Sequence, residues 1–230
     1  MSSPTPLQQI GERAAAEIVD GMIVGLGTGS TAEAMIYAVG TRVASGLSVT
    51  GVTTSDRTSE LARSLNIPLI SIDSIDSIDL CIDGADEIDA NLDIVKGRGG
   101  ALLWEKLTAR RARRYLIIAS SEKLVSQLGT RLPLPVEIIP LGWRHTSESL
   151  EPLGLRPKLR KNADGTPYIT DGGHYIVDCD SDGIPDVRAL ASSIKALTGV
   201  VEHGLFVDMV DQVITIDQTG TMLETSRPRT

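Results

Sequence analysis

Two neighbouring segments of this 230-residue chain place carboxylates close to cations. Four carboxylates lie within the seven residues Asp83-Gly84-Ala85-Asp86-Glu87-Ile88-Asp89, and the opposite charge follows in Lys96-Gly97-Arg98-Gly99-Gly100. Carboxylates this close together are costly unless cations or protons separate their charges. Glu105 follows early in the next predicted helix, close enough to its start to face the same crevice. The combination favours proton transfer by a carboxylate. A solvated acidic turn and a surface Glu105, salt-bridged within the Arg-rich helix 105–114, are the alternatives.

A third segment, Gly25-Leu26-Gly27-Thr28-Gly29-Ser30-Thr31, is rich in glycine and hydroxyl groups. Its glycines let the backbone pass close to an anion, and the amides of the following helix would point to the same place. A dinucleotide fingerprint is disfavoured because Ser30 stands in place of the third glycine, and a Walker A loop because no Gly-Lys-Ser/Thr follows. The segment therefore favours a phosphate monoester, with a structural turn as the alternative. A fourth loop, Ser120-Ser121-Glu122-Lys123, places a further lysine at the end of a strand. The alternative is that this loop only caps the start of a helix.

Alternating strand and helix patterns from residue 1 to about 130 predict an α/β fold with a doubly wound, mainly parallel, Rossmann-like sheet. Strands are predicted at 22–26, 49–53, 69–72, 77–82 and 115–119, and helices at 7–18, 31–44, 58–65 and 100–113. Ligands of such sheets bind beyond the carboxyl ends of the strands, so the four loops could converge on one crevice.

The pattern changes at Leu132-Pro133-Leu134-Pro135, where prolines indicate a domain boundary because they interrupt helices and interior strands. The order that follows is β-α-β-β-α-β, which predicts a smaller ferredoxin-like α+β domain. Its strands are predicted at 136–139, 155–161, 175–179 and from 200, and its helices at 143–153 and 186–197. We therefore expect a Rossmann-like catalytic domain of residues 1–131 plus 206–230 and a lid or oligomerisation domain of residues 132–205. A strand within 207–217 would rejoin the first sheet, and 226–230 would be a solvated tail.

The composition limits the partners that the chain can bind. Lys and Arg number 22 against 30 Asp and Glu, and the net charge of −8 argues against a nucleic-acid or anionic-membrane surface. Aromatic residues are only 3%, too few for a platform that stacks single-stranded nucleic acid. No membrane-spanning stretch or signal peptide is evident. Cys81 and Cys179 fit buried thiols in a reducing compartment. We expect a cytoplasmic protein that acts on a small molecule.

Together these segments resemble the type A ribose-5-phosphate isomerase family. The resemblance runs in order from about Ile10 to Asp217 through Gly25–Thr31, Thr53–Ser55, Asp83–Glu87, Lys96–Lys106 and Leu132–Glu137. It implies an aldose–ketose isomerase that interconverts D-ribose 5-phosphate and D-ribulose 5-phosphate through a cis-enediolate, in the non-oxidative pentose phosphate pathway. It also implies a homodimer or homotetramer, formed through the second domain.

The resemblance also implies roles for individual residues. The family's proton acceptor is the glutamate nine residues after Lys96, which is Glu105. Asp83 and Lys96 complete the implied catalytic set, because they would handle the sugar oxygens during ring opening and enediolate formation. The implied substrate-binding residues are Thr28, Gly29, Ser30, Thr31, Ser55, Asp83, Gly84, Ala85, Asp86, Lys96, Gly97, Arg98, Gly99 and Lys123.

Three positions depart from the family pattern. Leu7-Gln8-Gln9 stands where many members carry lysines in the first helix, which puts a phosphate contact from that helix in doubt. Ser120 replaces an acid, and Trp104 replaces a common polar residue.

Two other classes of protein compete with this interpretation. A non-catalytic sugar-phosphate sensor would need a DNA-binding element, and no basic one precedes Ile10; nor would a sensor use Glu105 beside a lysine loop. A metal-dependent enzyme is suggested only by Asp178-Cys179-Asp180-Ser181-Asp182-Gly183, which imitates the start of a calcium-binding loop. Ala189 stands where that loop requires a bidentate glutamate. We therefore predict no metal and no cofactor.

Overall fold

The computed structural model describes residues 4–227 of the chain. Its α-helices are α1 Pro6–Ala15, α2 Ser30–Ala44, α3 Asp56–Ser64, α4 Leu102–Arg111, α5 Trp143–Glu148 and α6 Val187–Lys195. Its strands are β1 Ile23–Leu26, β2 Thr50–Thr53, β3 Leu80–Asp83, β4 Glu87–Ile88, β5 Ile94–Val95, β6 Tyr115–Ser120, β7 Leu134–Ile138, β8 Arg156–Leu159, β9 Tyr175–Asp180, β10 Val200–His203, β11 Leu205–Phe206, β12 Gln212–Ile216 and β13 Met222–Ser226.

The chain divides into two compact units. The first contains the described residues of Met1–Ala85, Trp104–Lys123 and Met209–Thr230, and the second contains Asp86–Leu103 and Leu124–Asp208. These bounds differ from those expected from the sequence, because residues 86–103, 124–131 and 206–208 belong to the second unit. There β5 pairs with β4 and β11 in a small separate sheet, which the sequence analysis did not anticipate.

The first unit contains a six-stranded sheet of order β13-β12-β6-β3-β1-β2. All neighbouring strands are parallel except β12 and β13. This confirms the mainly parallel α/β sheet. Leu26 at the end of β1 lies in register with Thr53 of β2 and Ile82 of β3, so the three strands end at the same edge. The loops that follow them therefore start side by side.

Strand β6 lies in the middle of this sheet, and its first five residues Tyr115-Leu116-Ile117-Ile118-Ala119 are all buried. An uninterrupted apolar run is expected for a parallel strand covered on both faces. Ile10 of α1 and Met35 of α2 join the same hydrophobic core, because apolar residues recur on one face of each helix.

The second unit contains a four-stranded antiparallel sheet of order β10-β7-β9-β8. The elements follow one another as β7-α5-β8-β9-α6-β10, and this confirms the ferredoxin-like order. The strand predicted from residue 136 begins earlier, at Leu134, so Pro135 lies inside β7. It is tolerated there because β10 pairs with β7 only from Val136 onwards, while the Pro135 carbonyl accepts the N–H of Gly204 at 2.8 Å.

Three other local predictions were wrong. Residues 69–72 are not a strand, since Leu69 forms only an isolated bridge to Gly51 and a 3-10 turn follows at Ile72–Ser74. Helix α5 ends at Glu148, and a 3-10 turn with a proline in its first turn follows at Glu151–Leu153. Residue 226 does not begin a tail but ends β13; residues 228–230 lie outside the described part of the chain.

Within residues 4–227, no helix combines the length and the apolar composition needed to cross a membrane. Cys81 and Cys179 are both buried thiols, and burial raises the pKa of the Cys179 thiol far above its usual range.

Helices α1 and α2 approach each other most closely at Gly11. A Cβ at this position would lie 2.6–2.8 Å from backbone atoms of Ala34 and Met35, near the start of α2. A backbone cannot move aside as a flexible side chain can, so glycine at position 11 sets the distance between the two helices.

We therefore predict that Gly11→Ala destabilises the protein, although alanine is the better helix former by about 1 kcal/mol. Overpacking two backbones costs about 3 kcal/mol, so the free energy of unfolding should fall by about 2 kcal/mol. Urea titration measures this change. Glu12→Ala, at an exposed position of the same helix, should change it by less than about 0.5 kcal/mol. A more stable Gly11→Ala variant would show that the helices separate at no cost.

Candidate functional site

The carboxyl ends of β1 and β3 meet at Gly27 and Asp83. The fully buried Asp83 accepts hydrogen bonds through Oδ1 from the backbone N–H groups of Thr28, at 3.1 Å, and Gly84, at 2.7 Å. A Cβ at position 27 would lie 2.2 Å from that oxygen, so only glycine leaves room for the carboxylate. Asp83 therefore holds the first turn of the Thr28 loop in place.

Helix α2 starts at this loop without a side-chain cap. Its N-cap residue is Gly29, with φ +116°, whereas side chains cap the N-termini of α1, α3 and α6. Ser30, the first helical residue, is exposed, and Thr31, the second, is half-buried. A helix N-terminus attracts anions through its N–H groups and its dipole. The start of α2 is therefore suited to a phosphate group.

A cluster of four hydroxyl groups fixes the loop before α2. Thr28 Oγ1 lies 2.7 Å from Thr54 Oγ1, 2.8 Å from Ser55 Oγ and 3.1 Å from Thr58 Oγ1. Thr58 Oγ1 also donates to the Gly27 carbonyl at 3.1 Å. The end of β1, the end of β2 and the start of α3 are thus joined through side-chain hydroxyls.

Ser55, which the sequence assigns to substrate binding, is only 4% exposed and caps α3 by accepting the Thr58 N–H at 3.1 Å. Its hydroxyl is already used inside the protein. Thr54 and Thr58 are members of the cluster that the sequence analysis missed. The spacing Ser55-x-x-Thr58, with a cap residue three positions before a second hydroxyl, is the signal that could have indicated Thr58.

Glu105 lies in the first turn of α4 and is 4% exposed, so the alternative of a surface glutamate is wrong. Tyr115, at the start of β6, is fully buried, and burial raises the pKa of its hydroxyl well above the usual range. The negative charges of Asp83 and Glu105 raise this pKa further. The two carboxylates therefore lie within electrostatic reach of the same buried hydroxyl in the first unit.

Gly25 of β1 allows α4 to pack against the sheet. A Cβ at Gly25 would lie 2.8 Å from Cγ2 of Thr108 on α4 and 2.7 Å from the sulfur of Cys81 on β3. The helix that carries Glu105 thus lies directly on these two strands.

Lys123 ends the 3-10 turn Ser121–Lys123 after β6 and is half-buried. Its ammonium group makes no ion pair with the residues that the structure describes. Its neighbour Glu122 instead accepts a hydrogen bond from Gln218 at 2.8 Å.

In the second unit, backbone N–H groups stabilise each carboxylate of the acidic segment, which is therefore not a solvated turn. Asp86 accepts the N–H of Arg98 at 2.9 Å. The buried Glu87 accepts the N–H groups of three residues, which are Gly129, Arg131 and Leu132. Asp89 accepts two N–H groups within its own turn, and burial raises the pKa of its carboxyl.

The Lys96 loop forms a turn that two glycines make possible. Gly97 and Gly100 have φ of +110° and +82°, and the Gly100 N–H donates to the Gly97 carbonyl at 3.0 Å. The Lys96 side chain is 3% exposed, and its ammonium nitrogen lies 6.0 Å from the centre of the Phe206 ring. Arg98 and Gly99, at the tip of the turn, are exposed.

The segment that imitates a calcium loop is a strand in the structure. Asp178 and Asp180 belong to β9, and their carboxylates pair with Arg160 and Lys158, while Asp182 pairs with Arg156. Within residues 4–227, no three or more His, Cys, Asp and Glu side chains form a group that could hold a metal ion.

The predicted site residues thus fall into two groups, one in each unit. The first unit holds Thr28, Gly29, Ser30, Thr31, Ser55, Asp83, Gly84, Ala85, Glu105 and Lys123. The second unit holds Asp86, Lys96, Gly97, Arg98 and Gly99. The chain passes from one group to the other between Ala85 and Asp86 and again within α4, between Leu103 and Trp104.

The chain is similar along most of its length to known isomerases. The family model described as Ribose 5-phosphate isomerase A (phosphoriboisomerase A) matches residues 50–220. The ribose-5-phosphate isomerase A of Thermomicrobium roseum is 52% identical over 216 residues, which are 93% of this chain and 91% of the relative. That of Enterococcus faecalis is 50% identical over 208 residues, which are 90% of this chain and 92% of the relative.

Solved structures agree with these relatives. The ribose 5-phosphate isomerase of Plasmodium falciparum has a TM-score of 0.93 at 37% identity, covering 97% of this chain and 99% of that chain. A D-ribose-5-phosphate isomerase in complex with phospho-erythronic acid has a TM-score of 0.92 at 36% identity, covering 96% of this chain and 98% of that chain.

The hydroxyl cluster leads to a prediction about Thr58, which is only 2% exposed. Thr58→Val keeps the shape of the side chain but leaves the Gly27 carbonyl without its hydroxyl donor, so the free energy of unfolding should fall by about 1 to 3 kcal/mol. Thr58→Ser keeps the hydroxyl and should lose less. The control is Thr41→Val, at an exposed position of α2, with a change below about 0.5 kcal/mol. Equal denaturation midpoints for Thr58→Val and Thr41→Val would contradict a stabilising cluster.

Proposed function

The chain belongs to the ribose-5-phosphate isomerase A family, and we propose that Glu105 is the general base with which it interconverts D-ribose 5-phosphate and D-ribulose 5-phosphate. One observation carries this proposal: Glu105 is a buried carboxylate in the first turn of α4, in the same unit as Asp83 and the uncapped start of α2. Buried carboxylates are groups that proton-transfer enzymes use as acids and bases.

The reaction moves one proton between adjacent carbons. The base takes the proton from C2 of the open-chain aldose, a cis-enediolate forms, and the same group returns the proton to C1. Glu105 can do both steps because a carboxylate on a helix reaches two neighbouring carbons without moving its backbone. The chemistry requires no redox cofactor, since the oxidation of one carbon balances the reduction of the next.

The phosphate would bind at the start of α2. The N–H groups and hydroxyls of Ser30 and Thr31 supply donors, and Gly29 leaves them without a competing cap. Thr28 serves indirectly, since its hydroxyl is held by the cluster that fixes the loop. This is the local positive site that a chain of net charge −8 needs for an anionic substrate.

The remaining residues would act on the sugar oxygens. Asp83, held by two backbone N–H groups, would accept a proton from a hydroxyl during ring opening. Lys96 would stabilise the oxyanion of the enediolate, since a cation at developing charge lowers the barrier. Asp86 and Lys123 would bind hydroxyls, and the backbones of Gly84, Ala85 and Gly97–Gly99 would line the substrate.

We further propose a cytoplasmic homodimer or homotetramer. A contact between copies of the chain would remove exposed apolar side chains of the second unit from water, among them Leu141 at 85% and Ile169 at 59% exposure. Light scattering of the purified chain measures this state.

Thr31→Val tests the phosphate site. The variant keeps the shape of the side chain but loses one donor to a charged group, so KM for ribose 5-phosphate should rise about tenfold, roughly 1.5 kcal/mol. Inhibition by inorganic phosphate should weaken in parallel, and kcat should change little. Thr41→Val, further along α2, is the control. Unchanged KM and unchanged phosphate inhibition would remove Thr31 from the site.

Glu105→Gln tests the base. The substitution keeps size and helix propensity but removes the proton acceptor, so kcat should fall by about a hundred- to ten-thousand-fold, or roughly 3 to 5 kcal/mol of barrier. A coupled assay with ribose 5-phosphate measures it. Arg110→Gln, at an exposed position of the same helix, should keep nearly full turnover. If Glu105→Gln keeps more than about a tenth of the turnover, the base is another residue, with Asp83 or Asp86 next.

A further inference from the structure

Arg160, directly after β8, joins the second unit's large sheet to the Lys96 loop. Its Nη1 donates to the backbone carbonyls of Gly97, at 2.9 Å, and Arg98, at 3.1 Å. Its opposite edge, Nε and Nη2, donates to the two carboxylate oxygens of Asp178 on β9 at 2.9 and 2.5 Å. A single guanidinium group thus contacts two loop carbonyls and one strand carboxylate.

The surroundings of Arg160 hold it in this position. Its side chain is 15% exposed and that of Asp178 is 25% exposed. The Arg160 Cζ lies 5.8 Å from the centre of the Tyr168 ring, within the range of a cation–π contact. The bidentate pair with Asp178 fixes the plane of the guanidinium, so Nη1 can point only at the loop.

This contact sets the direction of the loop's peptide groups. The N–H and C=O of a trans peptide point in opposite directions. Arg160, by holding the carbonyls of Gly97 and Arg98, therefore turns the N–H groups of Arg98 and Gly99 to the other side of the loop. The Arg98 N–H there meets Asp86 at 2.9 Å. The loop is thus held from both sides, although Gly97 and Gly99 make its backbone intrinsically flexible.

We propose that Arg160 is a positioning residue that holds the Lys96–Gly99 loop in the conformation in which Lys96 acts. The inference rests on the proposed function, in which Lys96 stabilises the enediolate oxyanion. In this role Arg160 acts through Gly97 and Arg98 and not on the substrate itself. A lysine cannot replace it, because an ammonium group lacks the planar fork that reaches two carbonyls and a carboxylate together.

The first test compares Arg160 with Arg156, an arginine of β8 that also pairs with an aspartate, Asp182, but is 54% exposed. Arg160→Lys should lower kcat by about 10- to 100-fold with KM changed less than about threefold, because a small displacement of a catalytic group lowers kcat. Arg156→Lys should keep kcat within about twofold. Circular dichroism melts should show both variants folded at the assay temperature.

A double-mutant cycle separates positioning from mere stabilisation. Lys96→Gln should lower kcat by itself, and adding Arg160→Lys to it should cost less than about threefold, because the loop then has no lysine to position. If the fold losses in kcat of Lys96→Gln and Arg160→Lys multiply in the double variant, the inference is wrong. It is also wrong if Arg160→Lys is as active as Arg156→Lys. An active Glu105→Gln variant would instead contradict the proposed function. The two hypotheses are therefore contradicted by different results.

Discussion

The contact on which the site depends is the close approach of the Asp83 carboxylate to Gly27. Two parallel strands end side by side, and the carboxylate of one occupies the space where the Cβ of the other would be. From there it accepts the Thr28 N–H, which determines where the loop turns and where α2 begins. The same carboxylate lies within reach of Tyr115, as does Glu105 on the helix that packs over these strands. A side chain at position 27 would disturb the acid, the loop and the helix start at once.

Backbone amides bind the four carboxylates of the acidic segment 83–89. Asp83, Asp86, Glu87 and Asp89 each accept backbone N–H groups, which explains how four carboxylates can follow one another within seven residues. Bonds of this kind stabilise a buried carboxylate without adding a flexible cation. The same donors, left uncapped at the start of α2, would serve the substrate phosphate. The role proposed for Lys96 is to act where charge develops during the reaction.

The features that were predicted correctly from the sequence are those that short local patterns determine. The parallel sheet, the ferredoxin-like order and the position of Glu105 early in α4 follow from short apolar runs, from turn residues and from a motif resemblance. What it missed depends on contacts between distant segments. Strand β13 has exposed side chains and so lacks an apolar signal, yet it pairs along its whole length with β12. Residues 69–72 have the apolar signal of a strand, but only Leu69 makes a bridge.

The same limit applies to the site. The motif marks Ser55 as a site hydroxyl, but its role as the cap of α3 and its hydrogen bond with Thr28, 27 residues earlier, follow only from the structure. Arg160 lies more than 60 residues from the loop that it holds, in a segment that sequence reasoning treated as an ordinary strand.

The central claim, that Glu105 moves the proton, is tested most directly by following the hydrogen itself. With ribose 5-phosphate deuterated at C2, NMR measures the formation of ribulose 5-phosphate and the loss of deuterium from C2, whether the deuterium appears at C1 of the product or in water. We expect Glu105→Gln to lower isomerisation and deuterium loss from C2 together, by at least about a hundredfold. Deuterium loss from C2 at an unchanged rate in Glu105→Gln would contradict this role, because another group would then be removing the C2 hydrogen.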